Sequence, residues 1–95
     1  MLVAVNLDGT LCVEKEDWWE YESAPPISTA IAYINSLFAD GNEIVIYTSR
    51  VEEDREITEK WLRRNGVNYH RVIFGKLRAD LYIDNNSMNI KEHIG

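Results

Sequence analysis

Four short apolar runs rich in branched residues each end abruptly in small polar or ionisable side chains, and this pattern constrains the fold of the chain most. Leu2 to Val5 stops at Asn6-Leu7-Asp8-Gly9-Thr10, and Ile44 to Tyr47 stops at Thr48-Ser49-Arg50. "RVIF" stops at Gly75-Lys76, and "DLYID" at Asp84-Asn85-Asn86. Such runs read as buried strands. After the first, Ile27, Ala30, Ile31, Ile34, Leu37 and Phe38 recur at helical spacing, with Gly41 as the stop. After the second, a charged helix over roughly residues 52–65 turns Ile57, Trp61 and Leu62 inward before Gly66. The residues from Ser87 onward read as a closing helix. Strands alternating with helices predict right-handed crossovers, hence an α/β, Rossmann-like parallel sheet covered by helices. Ligands of such sheets bind beyond the carboxyl ends of the strands, so the polar strand ends are where a site is expected.

The length of 95 residues suits one domain, 1–95, with a flap-like excursion over 11–26, "LCVEKEDWWEYESAPP", that has no steady period. Net charge is −6 and uneven: residues 1–50 carry eight acids and two bases (Lys15, Arg50), while residues 51–95 carry eight of each. A nucleic-acid partner would call for a basic face. Its nearest approach here, Lys60, Arg63 and Arg64, reads as a solvated helical face. No apolar run approaches the ~20 residues that span a bilayer, and the opening "MLVAV" lacks the features of a signal peptide. The lone Cys12 suits a reducing compartment, so a cytoplasmic protein with no membrane partner is expected.

The strand ends hold the parts of a phosphoryl-transfer site. Asp8 is a candidate general acid or base. Asp84 is a hard carboxylate suited to Mg²⁺. Thr48 offers a hydroxyl to a phosphate oxygen, and Lys76 a point charge. The Asp8-Gly9-Thr10 turn could aim backbone N–H groups at an anion. Singly, each has a plain structural reading, such as a turn for Asp-Gly or a helix cap for Asp84. Together, at successive strand ends, they point to phosphate chemistry.

In these motifs the sequence resembles the haloacid dehalogenase (HAD) superfamily. Asn6-Leu7-Asp8-Gly9-Thr10 matches its Asp-x-Asp-Gly-Thr motif, Thr48 in "IVIYTSR" the second, Lys76 the third, and Asp84-Asn85 in "YIDN" the acidic fourth. "GTLC" and "VNYHRVIFGKLRADLYID" are similar to short capless members of the capsule-biosynthesis and sugar-phosphate phosphatase type. The resemblance implies a HAD-like core with no cap domain. It implies Mg²⁺ held by position 6, the Asp8 carbonyl, Asp84 and Asn85, phosphate held by Gly9, Thr48, Ser49 and Lys76, and a small phosphorylated metabolite as substrate. Three positions depart from the pattern: Asn6 for the nucleophilic aspartate, Asn85 for the second acid, and Leu77 for a common proline. An amide coordinates weakly and is a poor nucleophile.

Three readings of Asn6 therefore stay open: a deliberate substitution in an otherwise active enzyme, a natural pseudophosphatase that binds a ligand or partner, or a residual hydrolase using water or Asp8. In the flap, Trp18, Trp19 and Tyr21 could stack on a sugar or base, form a homodimer patch, or pack the loop onto the body. Its acids Glu14, Glu16, Asp17, Glu20 and Glu22 would repel long polyanions. Arg50 could reach a second anionic group of a substrate or pair with the adjacent Glu52-Glu53-Asp54, and the pairing is expected; His70 and His93 are expected to be surface histidines.

Overall fold

The computed structural model describes residues 1–75, 81–84 and 87–90, the last two stretches as backbone apart from the side chains of Leu81 and Ile83. Five strands form one sheet: β1 Leu2–Asn6, β2 Glu43–Thr48, β3 Arg71–Phe74, β4 Leu81–Asp84 and β5 Ser87–Ile90. Their spatial order is β3-β2-β1-β4-β5. The first four run parallel; β5 pairs antiparallel with β4, Asp84 opposite Ser87 and Leu81 opposite Ile90. The expected closing helix is thus corrected to an edge strand over Ser87–Ile90. Met88 and Ile90 alternate with Ser87 and Asn89, a period of two that suits a strand and not a helix.

The central strands are apolar on both faces because helices cover a parallel sheet. Val3, Ala4 and Val5 of β1 and Ile44, Val45 and Ile46 of β2 are fully buried. Helix α1, Ser28–Ala39, buries Ile31 and Ile34, and helix α2, Arg55–Arg64, buries Thr58, Trp61 and Leu62. Thr58, not the expected Ile57, takes the innermost place on α2; Ile57 is half-buried. His70 is exposed but not idle: its Nδ1 accepts the Ile44 N–H at 2.9 Å, and its ring stacks on Phe38. His93 lies outside the described residues. Among those residues no helix is long and apolar enough to cross a membrane.

The excursion is closed at its neck. The Val13 N–H donates to the Pro25 carbonyl at 2.9 Å and the Ile27 N–H to the Leu11 carbonyl at 2.8 Å, while Cys12 bridges Pro26. A short 3-10 turn, Trp18–Glu20, lies within it. Helix α2 holds the flap down: Trp61 Nε1–H donates to the Ala24 carbonyl at 2.8 Å, Arg64 to the Glu22 carbonyl, and Lys60 pairs with the Glu22 carboxylate. The exposed ion pairs contribute little; the indole bond is buried and should contribute more. Trp61→Phe strands the Ala24 carbonyl and is expected to lower stability by about 1–3 kcal/mol. Urea denaturation measures the loss, and limited proteolysis should show faster cleavage within 11–26.

Candidate active site

Parallel pairing places the carboxyl ends of β1 to β4 along one edge. Asn6 pairs with Tyr47, so Thr48 follows one step on; Thr48 pairs with Phe74, and the Gly75 N–H donates to the Thr48 carbonyl at 3.0 Å. Val5 pairs with Ile83, which brings the Asp84 backbone alongside Asn6. The chain runs outward from β1 to β2 and β3, and β4 lies on the other side of β1. The boundary between β1 and β4 is therefore a topological switch point, the place where open α/β sheets form ligand crevices. Asn6, Asp8 and Thr48 meet beside it, at the carboxyl ends of β1 and β2. Ser49 is exposed at the same edge. Lys76, Leu77 and Asn85 lie outside the described residues, as does the Asp84 side chain.

The turn after β1 is wound around one acceptor. The Leu7 carbonyl receives the N–H groups of Thr10 at 3.2 Å, Leu11 at 2.9 Å and Cys12 at 3.4 Å. Gly9 sits at φ +85°, a conformation that glycine adopts without strain. Its N–H, expected to face an anion, instead donates to the Cys12 carbonyl at 2.8 Å. Gly9 thus shapes the turn, and its amide is not a phosphate donor as it stands. The buried Thr10 Oγ1 has no hydrogen-bond partner among the described residues.

Arg50 organises the centre of the site. Its Nε donates to Asp8 Oδ2 at 3.1 Å and its Nη2 to Oδ1 at 2.6 Å, a bidentate fork. Nη1 donates to Thr58 Oγ1 at 3.0 Å, and the Tyr21 ring lies over the guanidinium at 3.7 Å. The side chains are only 3% and 16% exposed, so this pair is largely withdrawn from water. The expected pairing of Arg50 with the Glu52–Asp54 run is corrected: Arg55 bonds Glu52 and Glu59 at helical spacing instead. Thr48 joins the same network, donating to Asp8 Oδ2 at 3.3 Å while accepting the Arg50 N–H at 3.0 Å. The sequence reading weighed Tyr21 for stacking on a sugar or base and Arg50 for a substrate anion, but neither for holding Asp8, and it did not single out Thr58.

Cys12 lies behind the carboxylate, with Sγ 3.8 Å from Asp8 Oδ1. Burial first, and then the Asp8 charge, push its thiol up from 9.0 to about 11. The folded value exceeds the unfolded one, so the associated stability is complete below pH 9 and is lost as pH rises toward 11. The chain should lose about 2–3 kcal/mol over that window beyond whatever Cys12→Ala loses. Urea midpoints of both proteins across the window check this, and equal slopes would refute it.

Asn6 ends β1 with its Nδ2–H donating to the Asp8 backbone carbonyl at 2.8 Å. The fit of a magnesium ion can be judged there. Neighbouring oxygens of an octahedron with ligands at about 2.1 Å stand about 3.0 Å apart. The amide and the carbonyl already sit at that spacing, and turning the carboxamide would present Oδ1 in place of Nδ2. These two oxygens would suit two neighbouring positions of such an octahedron, with one formal charge fewer than a carboxylate at position 6 would bring. Among the described residues no group of three or more His, Cys, Asp or Glu side chains could hold a metal.

No family model matches the chain, and no curated protein matches it in sequence. Solved structures do. A structural-genomics target from Vibrio cholerae superposes with TM-score 0.67 at 27% identity over 81% of this chain and 71% of that one. A D,D-heptose 1,7-bisphosphate phosphatase from Burkholderia thailandensis gives TM-score 0.58 at 18% identity, covering 77% of this chain. A chain of a Pnkp1/Rnl/Hen1 complex gives 0.69 at 18% identity, covering 90%. The chain spans only 28% of the Pnkp1-complex chain and 51% of the heptose-bisphosphate phosphatase. In strand order and structural neighbours, the chain has an α/β fold, a parallel sheet covered by helices, that it shares with these structures.

Proposed function

We propose that this chain binds the phosphate of a small phosphorylated metabolite, a sugar or nucleotide phosphate, together with Mg²⁺, and that Asn6 holds its hydrolysis far below what the scaffold supports. The meeting of Asn6, Asp8 and Thr48 at adjoining parallel-strand ends, beside the end of β4, carries this reading. Asn6 Oδ1, the Asp8 carbonyl, Asp84 and Asn85 would hold the ion, which when bound supplies positive charge against the phosphoryl oxygens. Thr48, Ser49 and Lys76 would meet the remaining phosphate oxygens. Asp8 would act as acid and base in any turnover, its carboxylate already oriented by the Arg50 fork. Trp18 and Trp19, 59% and 63% exposed, would stack on the ring of the metabolite or meet a second copy of the chain.

A specific observation favours a second reading, a non-catalytic pseudophosphatase that binds a ligand or partner. The Asn6 amide satisfies the Asp8 carbonyl without an ion and leaves the site without a carboxylate nucleophile. The two readings separate in one experiment: hydrolysis of 4-nitrophenyl phosphate and a panel of sugar and nucleotide phosphates, with Mg²⁺, by this chain and by Asn6→Asp. Phosphorus NMR of added inorganic phosphate reports binding alongside. Strong activity confined to Asn6→Asp supports the phosphatase scaffold. Binding without turnover in either protein supports the second reading, and neither binding nor turnover overturns both. Efficient turnover by the unaltered chain would overturn the role given to Asn6.

A further inference from the structure

The contact between Tyr21 and Arg50 joins the flap directly to the guanidinium that holds Asp8. Tyr21 directly follows the Trp18–Glu20 turn, and its N–H donates to the Trp18 carbonyl at 3.1 Å. The turn carrying the exposed Trp18 and Trp19 is thus continuous with the residue whose ring lies over Arg50. The guanidinium below is held at its edges by Asp8 through Nε and Nη2 and by Thr58 through Nη1. Edge bonds fix its position, whereas a ring against its face fixes the plane in which it sits. A bidentate fork transmits that plane to its partner, because both N–H···O bonds stay straight only while guanidinium and carboxylate remain coplanar.

We infer that Tyr21 is a positioning residue: the seating of the flap on Arg50 sets the orientation of the Asp8 carboxylate. A ligand that shifts the Trp18–Trp19 turn is thereby felt at Asp8. The ring supplies the effect and the hydroxyl is dispensable. The catalytic consequence rests on the reading of Asp8 as acid and base; the mechanical coupling does not. A desolvated guanidinium–ring contact can bias an equilibrium by up to about thirtyfold, which sets the scale of the expected effect.

Two measurements test this. The first uses the chain as it stands and follows the Arg50 Nε–H by NMR, since that proton lies in the bond to Asp8 Oδ2. Tyr21→Leu is expected to speed its exchange with water about tenfold or more, while Tyr21→Phe leaves it within about twofold. Unchanged exchange in a folded Tyr21→Leu protein overturns the coupling. The second places the same substitutions in the Asn6→Asp background with 4-nitrophenyl phosphate. Tyr21→Leu should lower kcat about ten- to thirtyfold with KM nearly unchanged, and Tyr21→Phe should restore it. A change confined to KM, or a loss shared by Tyr21→Phe, overturns the positioning role. If Asn6→Asp itself is inactive, the phosphatase reading has failed, and the exchange measurement still decides the coupling.

Discussion

Replacing Asn6 by aspartate is expected to raise Mg²⁺-dependent phosphate ester hydrolysis by about 10⁴- to 10⁶-fold, the scale of a lost nucleophile elsewhere. The substitution changes an amide to a carboxylate of nearly the same shape at the end of β1, so the scaffold need not move. It has a second, opposite consequence. The Asn6 Nδ2–H bond to the Asp8 carbonyl disappears, and in its place a carboxylate oxygen faces a carbonyl oxygen across about the same 2.8 Å. Without metal, Asn6→Asp should therefore be less stable than the parent by about 1–3 kcal/mol. Mg²⁺ should restore the loss by binding the folded state alone, and it should raise the Tm of the parent far less. Melting curves in EDTA and in millimolar Mg²⁺ test this independently of any substrate. Equal Mg²⁺ shifts in the two proteins would remove position 6 from the ion site.

Arg50→Met is expected to lower stability by about 3–5 kcal/mol, because it leaves the Asp8 carboxylate largely buried without its partner. Thr58 Oγ1 loses its donor as well. That is a large share of the roughly 5–15 kcal/mol that a domain of this kind possesses. If Arg50→Met fails to fold, Asp8→Asn combined with Arg50→Met distinguishes the cause: with the unpaired charge removed, the double variant should recover much of the loss. Urea denaturation of the parent, the two single variants and the double variant gives the comparison. A double variant as unstable as the sum of its parts would mean that Arg50 contributes mainly by packing.

The four strand ends and the order of α1 and α2 were legible because they are local: branched apolar runs, helical spacing and a glycine stop. The placement of β4 beside β1 was not read from the sequence, because parallel winding alone leaves the strand order open. What escaped was non-local or ambiguous. The alternation over Ser87–Ile90 spans only four residues and was passed over for a helix. Arg50 was misassigned because acids near it in sequence appeared to compete for it, whereas Asp8, 42 positions away, wins it through burial. Thr58 displaced Ile57 from the inward position, where its hydroxyl meets the Arg50 Nη1–H, a need no hydrophobic pattern records. Gly9 was read for the freedom of its backbone, which its φ of +85° uses, but the N–H it frees is taken by the Cys12 carbonyl three residues on in the same turn. Of the flap aromatics only Tyr21 packs on the body by a described contact, while Trp18 and Trp19 pair edge to face in the open.

The two neighbouring segments after β1 differ in how they treat length. Between Asn6 and Cys12 three amides close on the Leu7 carbonyl, so one added residue there would swing Asp8 away from Arg50. Beyond Cys12 the opposite holds, since the neck is latched by the bonds of Val13 to Pro25 and of Ile27 to Leu11 whatever hangs between them. Ring-closure entropy grows only slowly with loop size. Residues 14–17 are accordingly a port at which a larger lid could be spliced over the site without unlatching the neck, and the carboxylate beneath would keep its aim as long as Tyr21 stayed seated on Arg50.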